Sequence, residues 1–256
     1  MKSDCCQNGE DKLLIAKTDD LFSLCDKNFV PAFSNFLDER QCFIAENVCR
    51  KHPELNYGFW GGFENAKRKI LCVYNDFYSD NWQNEIGLKC LTFKYRKEDK
   101  LSHRDFLGSL MAMRLKRETI GDIIIADGIA QIFASAVAAE HIMSELCKVG
   151  KVGVSIYDDL PFELTPVQEF LSFEGTVPSL RLDCVLSLGL RLSREKTSRL
   201  IESSGVQLNF VQVFSPSKEL KCGDVFSVKG YGKFVLSDVT GLSKKGRIHI
   251  TVQKYK

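Results

Sequence analysis

The chain lacks most of the features that declare a function quickly. Its 256 residues contain no apolar run near the ~18 residues needed to cross a membrane. The opening stretch MKSDCCQNGEDK is polar, without the apolar centre of a secretory signal, so a cytoplasmic protein is expected. There are only four histidines, and none of the ten cysteines forms a Cys-x-x-Cys pair. Zinc centres are usually built on such tight pairs, so no metal and no other cofactor is expected. The scattered cysteines read as small buried hydrophobes. No internal repeat or low-complexity tract is visible. At 44% hydrophobic and 27% charged residues, the composition is globular.

Net charge is also scarce, at +2, but the average hides an asymmetry. Residues 1–178 carry 21 Lys and Arg against 27 Asp and Glu; residues 179–256 carry 14 against 6. A net of +8 on so short a segment suggests a site for a polyanion. A solvated basic face without a partner would look the same.

The chain reads as α+β. Residues 1–68 form a helical N-terminal part. In PAFSNFLDERQCFIAENV, the residues Phe33, Phe36, Leu37, Ile44 and Val48 recur at helical spacing, with Pro31 suited to the first turn. Residues 69–157 alternate element types. Strands are expected at 70–74 and 88–95, then a helix capped by Ser102 and Asp105. Two strands follow, joined at the hairpin signal Asp127-Gly128, then a helix and the strand KVGVSIY. From residue 88 the order is β-α-β-β-α-β, the plan of a ferredoxin/RRM-like domain, with strand 70–74 as an addition to its sheet. Residues 158–178 read as a connector with room for one short strand.

Residues 179–256 are the basic module. Leu182, Val185, Leu186 and Leu190 make one helical stripe. Ser193 can cap a second helix, whose inward residues are Thr197, Leu200 and Ile201, and Gly205 can end it. That plan turns Arg181, Arg191, Arg194, Lys196 and Arg199 outward. Arg194 and Lys196 fall in the first turn of the second helix, where cations oppose the macrodipole. The placement makes sense if a phosphate arrives there, shared by helix-start amides and guanidinium forks. Beyond the helices, Lys229, Lys233, Lys244, Lys245 and Arg247 surround glycine-rich turns in a small sheet.

These residues carry a resemblance. Arg181-Leu182-Asp183, Leu192-Ser193-Arg194, Lys196, Leu200-Ile201, Gly205, Gln207 to Asn209 and Gly223-Asp224 to Gly230 resemble the S4 RNA-binding domain. Upstream, HRDFLGSLMAMRLKRETIGDIII (residues 103–125) resembles the central region of YlmH-type S4 proteins of bacteria. The resemblance implies a C-terminal S4 domain that binds ribosomal RNA, with relatives acting on large ribosomal subunits carrying stalled peptidyl-tRNA. Its implied RNA contacts are Arg181, Arg191, Ser193, Arg194, Lys196, Arg199, Lys229, Lys233, Lys244, Lys245 and Arg247, with His103, Arg104 and Arg117 as secondary ones. The chain departs from the pattern after Asn209, where Phe210 stands in place of glycine and a different hairpin is expected.

The leading expectation is a monomeric, non-catalytic protein that binds rRNA and also tRNA, on the large ribosomal subunit and away from membranes. Two alternatives stay open. One is an RNA-modifying enzyme, pseudouridine synthase- or methyltransferase-like, that docks through S4; the other is a protein-interaction adaptor. Against catalysis, Asp183 lies within the S4-like helix and reads as a structural ion-pair or hydrogen-bond partner, HIGH- and KMSKS-like motifs are absent, and Gly58 to Gly62 precede a strand instead of following one. His103, Arg104 and Asp105 are neighbours on one helical turn and do not converge. The basic-aromatic pattern of an RRM is missing, so direct RNA contact by residues 69–157 is the lesser reading.

Overall fold

A computed structural model describes residues 9–164, 169–243 and 246–255 of the chain. They fall into two compact units, one holding the described residues up to 164 and the other those from 169 onward.

The first unit opens with helix α1 (Gly9–Asn28), strand β1 (Ala32–Leu37), helix α2 (Glu39–Cys49), and strands β2 (Asn56–Trp60) and β3 (Lys69–Tyr74). The single helix expected over residues 31–48 is therefore two elements. Asp38 divides them: its carboxylate accepts from the Gln41 amide, and the Gln41 side chain accepts from the Asp38 amide. This reciprocal cap starts α2 at Glu39. The residues before it pair with β3 instead, and Ser34 Oγ accepts from the Leu71 amide at 2.9 Å. Tertiary pairing has overridden a helical pattern. Strand β3 adds nothing to the neighbouring sheet, contrary to expectation. It is the centre of a separate antiparallel sheet, β1-β3-β2, and α1 and α2 share a core with it through Phe22, Cys25, Ala45, Leu71 and Val73.

A short helix α3 (Trp82–Glu85) leads to strand β4 (Leu88–Lys94), helix α4 (His103–Ala112), strands β5 (Ile120–Ala126) and β6 (Ile129–Ser135), helix α5 (Ala136–Glu145) and strands β7 (Lys148–Val149), β8 (Val152–Gly153) and β9 (Ser155–Tyr157). The main sheet is antiparallel in the order β5-β6-β4-β9, with β4 and β5 flanking β6 as in a split βαβ unit. The Asp105 carboxylate accepts from the Ser102 amide and hydroxyl at the start of α4. Gly128 takes φ 79° in the β5–β6 turn. KVGVSIY (residues 151–157) is not one strand: Val152 and Gly153 pair back onto β7 across the turn at Gly150 (φ 59°), and only β9 joins the sheet. Leu91, Phe93, Phe106, Leu110, Ile132 and Ile142 are fully buried between this sheet and its helices. Each such side chain contributes roughly 1.5–3 kcal/mol of burial.

The second unit comprises strand β10 (Phe170–Val177), helices α6 (Leu182–Leu190) and α7 (Arg194–Ser204), and strands β11 (Val206–Leu208), β12 (Val211–Val213), β13 (Val225–Val228), β14 (Gly232–Leu242) and β15 (Ile248–Tyr255). Its antiparallel sheet runs β10-β15-β14-β13-β11-β12. Eight of the 21 residues expected as connector form an edge strand, longer than the short one allowed for, paired with β15 from Phe170↔Tyr255 to Val177↔Ile248. Its alternation was masked by exposed apolar residues such as Leu171. The hairpin at Asn209-Phe210 forms without the glycine. Both residues take positive φ (43° and 68°), and the Asn209 side chain donates to Asp224 and accepts from the Val225 amide. Leu182, Val185, Leu186 and Ile201 meet Phe226, Phe234, Leu236, Ile250 and Val252 in one core.

Candidate nucleic-acid interface

Helices α6 and α7 are separated by three residues, Arg191 to Ser193. Arg191 closes α6 at φ 53°, and its guanidinium carbon lies 5.2 Å from the centroid of the Phe173 ring. Ser193 caps α7, accepting from the Lys196 amide at 3.4 Å. Gly205 ends α7 at φ 68°.

Near the start of α6 lies Asp183, whose side chain is 2% exposed. Its Oδ1 accepts from Arg181 Nε at 3.2 Å and from the Cys184 amide at 3.0 Å; its Oδ2 accepts from Arg194 Nε at 2.7 Å. Burial pushes this carboxyl up, but hydrogen bonds from the side chains of Arg194, Arg181 and Cys184 outweigh it and leave Asp183 below the ordinary aspartate range. The same bond raises Arg194. One carboxylate therefore holds two guanidinium groups, leaving a surplus positive charge. Both arginines remain partly solvent-facing, at 39% and 52% exposed, and their terminal Nη groups have no acceptor among the described residues.

The spacing predicted five outward cations, Arg181, Arg191, Arg194, Lys196 and Arg199. Three of them are ion-paired: Arg181 and Arg194 with Asp183, and Arg199 with Glu195 at 2.6 Å. The Glu195–Arg199 pair is exposed on both sides, so it is screened and open to displacement by an incoming anion. Lys196 is exposed in the first turn of α7 and has no ion-pair partner among the described residues. Asp183 is the structural ion-pair partner that the sequence suggested, but its hold on Arg194 was not legible, because Arg194 reaches it across the meeting of two helices, eleven residues away in sequence.

The sheet cations do not form the single cluster expected. Lys229 is exposed at the β13–β14 turn, and Lys233 Nζ sits 5.0 Å from the Tyr255 ring centroid. Arg247 lies beyond the opposite end of β15, where it donates to the Thr176 carbonyl at 2.6 Å and hydroxyl at 3.1 Å. Eight strand residues separate the two groups, a run of roughly 25 Å. Lys244 and Lys245 lie outside the described residues.

In the first unit, His103 and Arg104 are exposed at the start of α4. Partial desolvation and then the charge of Arg117 hold His103 below its ordinary range, with Asp122 opposing. Arg117 is half-buried, and its Nη1 donates to the carbonyls of Ile120 and Gly121. Burial and the neighbouring Arg68 push it down to about 10. Its geometry is that of a strand staple. The sheet face away from α4 and α5 is closed. Phe133 packs against Phe63 and Phe162, and Ile124 joins Phe36 and Ile70 in the same cluster. Gln131 is buried there, donating to Thr92 and the Pro161 carbonyl and accepting from the Glu163 and Leu164 amides. The face on which an RRM would stack bases is covered by this chain's own residues.

These features define an α+β protein with a basic, guanidinium-bearing helix pair. Residues 83–162 match the family model described as "Putative RNA-binding domain in YlmH". That description attaches RNA binding to the segment for which the sequence reading held direct RNA contact to be the lesser reading. The chain is 31% identical over 227 residues to the "Ribosome-associated protein quality control protein P2" of Bacillus subtilis (strain 168), covering 87% of each protein. A solved structure, "Cell division protein ylmH from Streptococcus pneumoniae", superposes with a TM-score of 0.52 at 16% identity, over 60% of this chain and 94% of that one, a likeness of fold. The chain belongs to the YlmH family.

Proposed function

We propose that this protein binds structured RNA without catalysis, docking on ribosomal RNA of the large subunit and on adjacent tRNA through an S4-like C-terminal module. The observation that carries this reading is the Asp183 clamp. It orients Arg181 and Arg194 beside the α7 N-terminus, where Lys196 and the helix-start amides can share a phosphate. A carboxylate that only neutralised its surroundings would face one arginine; here it faces two. The family's RNA-binding description and the ribosome-associated name of the Bacillus relative support the same reading. The β4–β9 sheet, ferredoxin/RRM-like in plan, contributes through its edges and the α4 start, where His103 and Arg104 are accessible, since the face away from α4 and α5 is covered.

The test is ribosomal RNA binding over a salt series. Lys196→Ala and Arg199→Ala leave the Asp183 clamp intact and should each flatten the log–log salt slope by about 0.7–0.9. Arg194→Ala with Lys196→Ala should flatten it by about twice that. An unchanged slope and affinity in all three proteins sinks the proposal.

A further inference from the structure

The sheet of the second unit has two unlike faces. Phe226, Phe234, Leu236, Ile250 and Val252 enter the core shared with α6 and α7. The pleat turns Lys233, Val235, Gln253 and Tyr255 to the other side, where none of them joins a buried cluster. At one end of that open face, Phe170 and Tyr255 are register partners and touch edge-on, with centroids 5.0 Å apart at 63°. Lys233 Nζ lies 5.0 Å from the Tyr255 centroid. The β13–β14 turn adds Lys229 and Tyr231, both exposed.

The geometry points to a stacking platform for unpaired nucleobases, with Tyr255 and Phe170 taking bases and Lys233 and Lys229 taking the flanking phosphates. This inference rests on the RNA-binding reading and says where a single-stranded segment would go. Stacking on aromatic side chains tolerates any base, because every base has a π-face. A duplex keeps those faces covered, so the ligand class is single-stranded nucleic acid. Lysines beside the rings suit a ligand that alternates flat rings with negative charge, which an apolar protein surface does not.

A purely structural aromatic pair would change stability and leave binding untouched. The full chain is therefore titrated with a twelve-nucleotide single strand carrying 2-aminopurine, and with a blunt duplex of the same sequence. Binding of the single strand should quench the fluorophore, and the duplex should bind without that signature. Tyr255→Leu and Phe170→Leu should each weaken single-strand binding by about 5- to 10-fold and reduce the quench, with the salt slope unchanged. Tyr255→Phe should retain both affinity and quench. Lys233→Gln should flatten the slope by about 0.7. Unaltered affinity and quench in Tyr255→Leu overturn the platform, as does failure of the parent protein to bind the single strand. If structured RNA still depends on Lys196 and Arg199 in that event, the proposed function survives and only the platform falls.

Discussion

Replacing Asp183 by asparagine keeps the side-chain shape and removes the charge that holds Arg181 and Arg194. Asparagine presents one oxygen and one NH2, so one arginine Nε–H would face a donor. Hydrogen bonds to charged groups are worth about 1.5–3 kcal/mol each. Both arginines keep solvent on one side, so each can rehydrate, and the low end applies. The expected loss is about 2 kcal/mol, less than the 3–5 kcal/mol of a broken, wholly buried pair. A pH signature accompanies it. Asp183 is depressed in the fold, so its contribution is complete above the unfolded aspartate value of about 3.9 and is lost as pH falls through the lower folded value. Urea unfolding at pH 7 and again below pH 4 should show a lower midpoint for Asp183→Asn at neutral pH and a gap that narrows in acid. RNA affinity should also fall, although the variant is more positive by one charge, because the two arginines lose their common anchor. A variant with parental stability at pH 7 and parental acid sensitivity would refute the clamp.

Two further outcomes are expected from the first unit. Arg114 follows α4 at φ 62°, a conformation that favours glycine, so Arg114→Gly should raise stability by about 0.5–1 kcal/mol in urea titrations. His52 is raised, chiefly by its hydrogen bond with Asp19 and then by that with Glu54, while stacking on Phe22 at 4.3 Å. A raised histidine stabilises the fold fully below its unfolded value of about 6.5 and ceases to do so as pH climbs through the folded value. The stability of His52→Gln relative to the parent should therefore improve between pH 6 and 9, and a pH-independent difference would contradict the assignment.

Much of the second unit was legible in the chain. The stripe Leu182, Val185 and Leu186, the Ser193 cap and the Gly205 stop were all readable, since each depends on residues within one or two helical turns. The Ser102–Asp105 cap and the Asp127-Gly128 turn were equally local. Strand β1 was not, because its helical-looking spacing lost to pairing with β3 some 35 residues away. Where β10 forms, only a short strand was expected, because an edge strand with exposed apolar residues does not show clean alternation.

For the candidate site, the sequence determined which cations were available and that Arg194 and Lys196 would stand at a helix start. Capping chemistry and helical periodicity are short-range, so they are written in neighbouring residues. Only tertiary structure decided that Asp183 would hold two arginines, that Arg247 and Lys233 would lie at opposite ends of the sheet, and that Tyr255 would meet Phe170. Apart from the local Arg181–Asp183 bond, each of those contacts joins residues eleven or more positions apart. Their geometry is set by how helices cross and strands register, and a sequence of local preferences does not contain it.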